Sequence, residues 1–193
     1  GWFLSTFLSP VTNRRQDDWG GSPAKRANFI LRVTAGIRKV AGPDYPVFIK
    51  MGLKDYHPQG QSAAEAVEIA KILEAGGMDA FELSEGVEEL RFNHVREGAV
   101  APYYIEECRE ARGSLRKPVI LVGGMRTLAD METILSDGIA DAVALCRPLI
   151  MDPHLVRKFR EGVTDRSDCI SCNDCLQNMR QRNMHCPLVQ QSA

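Results

Sequence analysis

The stretch PVILVGGMRTLADMETILSDGIADAVALCRP, residues 118–148, contains two short apolar runs separated by a segment with helical character. The runs PVILVGG (118–124) and DAVALC (141–146) are continuously apolar, which is typical of strands covered on both faces in parallel sheets. Between them Thr127 can cap a helix, and Gly138 follows its last turn. The stretch therefore predicts a strand, a helix and a second strand parallel to the first.

The same pattern occurs earlier in the chain. Two further apolar runs, PVFIKM (46–51) and DAFELS (79–84), flank a segment in which Ser62 and Glu65 form a capping box. Gly76 ends that predicted helix just before the next strand.

Two more helices are predicted outside these units. One covers about residues 23–40, and the other begins at Asp152-Pro153, with proline at its first position, and runs through Phe159. One helix followed by four βα units indicates an α/β fold with right-handed crossovers and a parallel sheet.

Composition excludes several classes of protein. The 193 residues are 44% hydrophobic and 25% charged, which suffices for one core. A net charge of −1 and scattered Lys and Arg give no reason to expect a nucleic-acid partner. No apolar run approaches the ~18 residues of a membrane span, and four of the six cysteines lie in one short segment rather than in a secreted disulfide framework. We therefore expect a cytoplasmic protein without a membrane partner.

Ligands of parallel α/β sheets bind at the carboxyl ends of the strands. A Gly-Gly turn exposes backbone N–H groups and an arginine supplies a two-pronged donor, so the last two predicted strands could hold a phosphate. Ordinary loop structure and an arginine–carboxylate pair are alternatives, and a lysine at a strand end can simply reach solvent. The residues at these positions are Lys50, Ser84, Glu85, Gly86, Gly123, Gly124, Met125, Cys146 and Arg147.

The C-terminal segment reads DCISCNDCLQNMRQRNMHC, residues 168–186. Thiolates at such spacing bind zinc or an iron–sulfur cluster, and His185 is an alternative zinc ligand. Thiols without metal are a third interpretation, whereas a disulfide is disfavoured in a reducing compartment. Apolar periodicity stops near Gly162, so we divide the chain into residues 1–163 and a cysteine-rich tail, 164–193. The four cysteines of this tail are Cys169, Cys172, Cys175 and Cys186.

Three elements near the N-terminus occur together: FLSP at 7–10, NRR at 13–15 and WGGS-x-x-x-R at 19–26. Their combination resembles the stretch after the fourth barrel strand in the Old Yellow Enzyme family of FMN-dependent NAD(P)H:flavin oxidoreductases. VGGM (122–125) and ALCRPLIMDP (144–153) are similar to that family's seventh and eighth strands with their FMN-phosphate loops. The resemblance implies that residues 1–163 are strands 5 to 8, the C-terminal half, of a TIM (β/α)8 barrel.

The same resemblance implies roles for individual residues. Lys50 matches the basic residue at the pyrimidine edge of the flavin, where a cation favours the anionic reduced form. Gly123, Gly124 and Arg147 match the phosphate cradle, and Met125 lies in the same loop. Cys146 occupies a position where many members have glycine.

The tail adds a further resemblance. CISCNDC is similar to the CIGCN-type opening of the family's iron–sulfur subgroup, which includes 2,4-dienoyl-CoA reductase and trimethylamine dehydrogenase. This implies a 4Fe-4S cluster on the four cysteines, passing single electrons beside the flavin.

The implied activity is reduction of the flavin by NADH or NADPH, followed by transfer of the reducing equivalents to an α,β-unsaturated carbonyl or enoyl small molecule. Alternatives are an idle phosphate-binding module with a zinc-bound or empty tail, and a sugar-phosphate barrel enzyme, which would not need the cysteines.

Two departures from the family pattern affect these expectations. The residue pair that grips a substrate carbonyl would precede Gly1, and the tyrosine that donates a proton is replaced by Trp2, which is no acid at neutral pH. We expect Tyr56, Tyr103 and Tyr104 to be surface residues near the mouth. A four-stranded sheet would also leave two edges and one face open, so we expect either a homo-oligomer or a missing N-terminal half-barrel.

Overall fold

A computed structural model describes residues 3–86, 98–176 and 184–189. The helices are α1 (Ser5–Leu8), α2 (Pro23–Ala41), α3 (Ala63–Ala75), α4 (Ile105–Ser114), α5 (Leu128–Ser136), α6 (Arg147–Met151) and α7 (Leu155–Arg160). The strands are β1 (Phe48–Gly52), β2 (Ala80–Ser84), β3 (Val119–Val122) and β4 (Ala142–Ala144).

The strands form one parallel sheet in the order β1-β2-β3-β4. Consecutive strands are neighbours, and a helix connects each pair, as right-handed βαβ units require. All four strands overlap the predicted apolar runs, with β1 ending one residue later than its run, at Gly52. The predicted α/β class and parallel sheet are confirmed.

The helix caps agree with the sequence pattern in two cases. The Ser62 hydroxyl accepts from the Glu65 N–H while the Glu65 carboxylate accepts from the Ser62 N–H, which completes the capping box of α3. Thr127 caps α5 by accepting from the Asp130 N–H at 3.1 Å. These interactions fix where each helix begins after its strand.

The helix predicted to begin at Asp152-Pro153 begins instead at Leu155. Asp152 has an extended backbone, because a residue before proline is pushed out of the helical region. Its carboxylate then accepts from the His154 N–H at 2.9 Å and pairs with Lys158 at 2.7 Å, which stabilises the turn just before α7. The short helix α6, beginning at Arg147, was not predicted.

The two faces of the sheet differ in burial. Alternate residues on one face pack against the helices and form the core with them: Ile49, Met51, Phe81, Leu83, Val119 and Leu121. On the other face Phe48 is 62% exposed, and Lys50 lies opposite Glu82 on β2. We call this second surface, which includes Phe48, Lys50, Glu82, Ile120 and Val122, the open face.

Two aspartates tie the amino ends of the strands together. Asp79, just before β2, accepts from the Val47 N–H at 2.9 Å and pairs with Arg38. Asp141, just before β4, accepts from the Val119 N–H at 2.8 Å and pairs with Arg112 at 2.8 Å. These bonds satisfy N–H groups at the start of β3 and just before β1, so this end of the sheet contributes to stability rather than to binding.

None of the helices in the described ranges combines the length and the apolarity that a membrane span requires.

Candidate flavin and cluster site

The turn after β3 has a backbone that favours glycine at two consecutive positions. Gly123 and Gly124 have φ of +126° and +74°. A Cβ on Gly124 would lie 1.8 Å from the Ala101 carbonyl oxygen, and one on Gly123 would lie 2.3 Å from Cε2 of Tyr103. Glycine is therefore required at both positions because the segment before α4 lies directly against the turn. The sequence pattern did not indicate this contact. Met125, next in the turn, is buried.

Arg147 is the first residue of α6 and lies just past the end of β4. Its side chain is buried, with Nη1 donating to Oδ1 of Asn173 at 2.7 Å and Nη2 donating to the Tyr103 hydroxyl at 3.4 Å. Cys146, which precedes it, is exposed. Tyr103 thus contacts both predicted phosphate loops, and it brings Arg147 close to the Gly123-Gly124 turn.

The expectation that three tyrosines are surface residues is wrong for one of them. Tyr104 is 6% exposed and holds a left-handed backbone at the start of α4. Burial, and then the charge of the Glu85 carboxylate, raises the pKa of its phenol, so the group stays protonated. Tyr103 is partly buried because its ring packs on the glycine turn. Tyr56 is exposed, with the Lys54 ammonium 5.3 Å from its ring centre.

Lys50 lies within β1, on the open face, rather than at the end of the strand. Its ammonium forms an ion pair with Glu82, the residue opposite it on β2. One strand, β2, separates it from β3. Since neighbouring strands are about 4.8 Å apart, the backbones of β1 and β3 are roughly 10 Å apart. A ligand that contacts both Lys50 and the 123–125 turn must therefore extend across the sheet.

The four cysteines of the tail line one pocket, together with Arg147 and Asn173. Cys175 is the most buried of them, and burial, followed by the neighbouring Cys169 sulfur, raises the pKa of its thiol. Among the described residues, no three His, Cys, Asp or Glu side chains converge closely enough to hold a single metal ion. A tetrahedral zinc would require sulfurs about 4 Å apart.

Arg126 is a residue of this region that the sequence did not single out. It follows the glycine turn directly, yet its side chain is 3% exposed. Its Nε donates to the Cys169 carbonyl at 2.8 Å, and its Nη2 donates to the Ser171 hydroxyl. In the sequence it resembles an ordinary arginine before a helix, because the tail that buries it lies more than 40 residues away.

The remaining predicted residues are placed as follows. His185 is partly buried next to Cys186. Trp2 lies outside the described residues. The boundary between residues 1–163 and the tail stays a prediction. Across that boundary, the Leu128 N–H donates to the Asp165 carbonyl at 2.7 Å and the Ser167 N–H to the Arg126 carbonyl at 2.8 Å.

Residues 1–166 match the model of the NADH:flavin oxidoreductase / NADH oxidase family. The chain belongs to this family. It is 34% identical over 207 residues to a 4,4'-dithiodibutanoate disulfide reductase of Rhodococcus erythropolis, covering 91% of this chain and 51% of that protein. It is also 34% identical over 194 residues to an NADH oxidase of Thermoanaerobacter brockii, covering 94% of this chain and 29% of that protein.

A solved structure of a 2-naphthoyl-CoA reductase in complex with 2-naphthoyl-CoA is similar, with a TM-score of 0.77 and 30% identity over 91% of this chain and 26% of that one. The predicted family and the predicted relation to a TIM barrel are thus confirmed. The chain spans about half, or less, of the length of these family members.

Proposed function

We propose that this chain carries the FMN-phosphate end of a flavin-dependent NAD(P)H oxidoreductase, with an electron-relaying 4Fe-4S cluster beside it. The observation that carries the proposal is the placement of Arg147. This one buried guanidinium contacts the ring that covers the Gly123-Gly124 turn and also a residue of the cysteine segment.

The donor set suits an anionic, elongated cofactor. The Arg147 guanidinium, held in place by Asn173 and Tyr103, supplies a positive charge with several N–H groups that suits a phosphate, and the glycine turn supplies backbone groups on the adjacent loop. Cys146 and Met125 complete these two loops. We expect Lys50, on the open face about two strand spacings away, to supply a cation at the flavin's pyrimidine edge. When bound, FMN supplies hydride chemistry, and Lys50 stabilises negative charge that develops at that edge.

The cysteine pocket suits a cluster better than a single zinc ion. Cys169, Cys172, Cys175 and Cys186 line one space, but none of the described thiols converge on one point in the way that a tetrahedral ion demands. A four-iron cluster holds its thiolates farther apart, and when bound it relays single electrons. The buried guanidiniums of Arg126 and Arg147 would lie close to such an anionic group.

The relatives suggest acceptor classes. The names of two of them give compounds that those proteins act on or bind, an organic disulfide and 2-naphthoyl-CoA. For this chain we propose an α,β-unsaturated carbonyl or enoyl acceptor and NADH or NADPH as the reductant. Trp2 is not a proton donor, so the proton must come from another group or from water.

The phosphate assignment is tested by comparing FMN with riboflavin, which lacks the phosphate. Arg147→Ala should raise the dissociation constant for FMN about 10- to 150-fold, because a hydrogen bond to a charged group contributes about 1.5–3 kcal/mol. Riboflavin binding should stay unchanged. Arg157→Ala, an exposed arginine of α7, is the matched control.

The measurement is the change in flavin fluorescence when FMN or riboflavin is titrated with each protein. If Arg147→Ala weakens the binding of FMN and of riboflavin equally, Arg147 does not bind the phosphate. The same conclusion follows if the binding of both is unchanged. Anaerobic addition of NADH or NADPH to the FMN-loaded protein then tests the oxidoreductase activity through loss of flavin absorbance. An FMN complex that neither nucleotide reduces would contradict the proposed activity.

A further inference from the structure

Two residues between the cysteines have backbone conformations that residues other than glycine rarely adopt. Ser171 and Asn173 have φ of +60° and +66°, in the left-handed region. Asparagine tolerates this region, but serine does so at a cost in free energy that its surroundings must offset. The CIGCN-type opening to which CISCN is similar has glycine, without this cost, at the position of Ser171.

The hydrogen bonds of the Ser171 hydroxyl explain why serine rather than glycine can occupy this position. Ser171 is 1% exposed, and its hydroxyl accepts from Nη2 of Arg126 while donating to the Ala99 carbonyl at 2.5 Å. Its own carbonyl accepts from the Gly98 N–H at 3.1 Å. A glycine could keep the last of these bonds but neither of the first two.

Arg126 extends the connection to the first cysteine and to the glycine turn. Its Nε donates to the Cys169 carbonyl at 2.8 Å, and Nη1 donates to the Met125 carbonyl at 2.6 Å. One guanidinium therefore holds the backbone before Ser171, the hydroxyl of Ser171 and the turn after β3. Through Ser171 the connection continues to Ala99, in the segment whose backbone at Ala101 lies against Gly124.

We propose that Ser171 is a positioning residue: its hydroxyl joins Arg126 to Ala99 and so fixes the cysteine segment against the loop before α4 in the absence of metal. Two consequences follow. The backbone that carries Cys169 and Cys172 is held in place before any metal binds, and its distance from the glycine turn is set by these hydrogen bonds. That a cluster binds these cysteines rests on the proposed function.

The test is amide hydrogen exchange of the metal-free full chain, followed by NMR. Ser171→Ala removes the hydroxyl but retains the backbone cost, whereas Ser171→Gly removes both. If the hydroxyl positions the segment, both variants should speed exchange at the Gly98 amide, Ser171→Ala by about tenfold and Ser171→Gly by less. Exchange at Leu121, in the core strand β3, should not change. Ser136→Ala, which removes an exposed hydroxyl in α5, is the control.

The two variants distinguish a serine whose hydroxyl positions the cysteine segment from a serine that has no such role. If Ser171 had no such role, Ser171→Ala would match the wild type and Ser171→Gly would slow exchange at Gly98, because glycine relieves the backbone cost. That pattern would overturn the proposal. So would equal acceleration at Gly98 and Leu121, which would indicate general destabilisation.

A second readout follows iron after anaerobic reconstitution. Release of iron to a chelator should be about tenfold faster from Ser171→Ala than from the wild type, while Ser136→Ala should match the wild type. Equal release rates for Ser171→Ala and the wild type would contradict the positioning role. If the wild type holds no iron, the proposed cluster fails, and the exchange measurement on the metal-free chain decides the positioning role by itself.

Discussion

At the scale of single residues, Gly124 and Gly138 form a natural comparison. Their φ values are similar, +74° and +65°, but a Cβ on Gly124 would meet the Ala101 oxygen at 1.8 Å. A Cβ on Gly138 would meet no atom of the described chain within 4 Å. The two positions therefore separate the cost of the backbone conformation from the cost of the close contact.

We predict that Gly138→Ala destabilises the fold by about 1–2 kcal/mol, which is the cost of a left-handed alanine. Gly124→Ala should cost about 1–3 kcal/mol more, because the added methyl forces the segment before α4 away from the turn. Urea unfolding of both variants measures the difference. Equal losses would show that the contact between Ala101 and Gly124 is absent in solution.

The residues of the site differ in how far the sequence could predict them. The positions of Arg147 after β4 and of the glycine turn after β3 were predictable because strand ends and turn chemistry are local signals, whereas their role in phosphate binding stays a prediction. Arg126, Ser171 and Glu82 were not, since each acts through a partner brought close only by tertiary packing or by strand register. Lys50 was predicted without its ion pair for the same reason.

At the scale of elements, the aspartates before β2 and β4 join each strand to its neighbour. Asp79 accepts from the Val47 N–H and pairs with Arg38, and these two interactions, in that order, lower the pKa of its carboxyl. Its charged form is therefore favoured by folding. The associated stability is fully present above the unfolded pKa of about 3.9 and is lost as the pH falls through the lower folded value.

Asp79→Asn should consequently destabilise the fold by about 1–2 kcal/mol at neutral pH, and the difference should shrink as the pH falls below about 4. Thermal unfolding at a series of pH values checks this. Asp137→Asn, an exposed position at the end of α5, serves as the control. A loss in Asp79→Asn that does not depend on pH would refute the role assigned to the charge.

The elements themselves were largely predictable, because apolar runs and helix caps are encoded within a few residues. The strands, α2, α3 and α5 agree with the pattern to within a few residues. The start of α7 was misplaced because proline at a first helical position and proline in a preceding turn look alike in sequence. Here the Asp152 carboxylate accepts hydrogen bonds from the His154 N–H and the Lys158 ammonium, and these bonds stabilise the turn.

At the scale of the whole molecule, the open face determines how the sheet behaves in solution. Phe48 of β1 is 62% exposed there, Ile120 and Val122 of β3 share the face, and β1 and β4 are the edges of the described sheet. Pairing with the sheet of a second copy would cover this face and both edges, as closure of a barrel does.

We therefore predict self-association of the isolated chain, measured by sedimentation over a range of concentrations. Phe48→Ser should shift the chain towards the monomer, because it removes apolar area from the contact. Val40→Ser, at an 89% exposed position on α2, should have no effect. A wild-type chain that stays monomeric and unfolds cooperatively would count against pairing of two copies.

The central claim is that a flavin-phosphate site and a cysteine-bound cluster lie side by side in this chain. The most direct measurement is the ultraviolet–visible spectrum of anaerobically purified protein after addition of FMN and gel filtration, with iron, sulfide and zinc analysis. The account predicts flavin absorbance that stays with the protein, together with about four iron atoms and four sulfides per chain. A colourless protein that retains no FMN, and holds zinc or no metal, would contradict it.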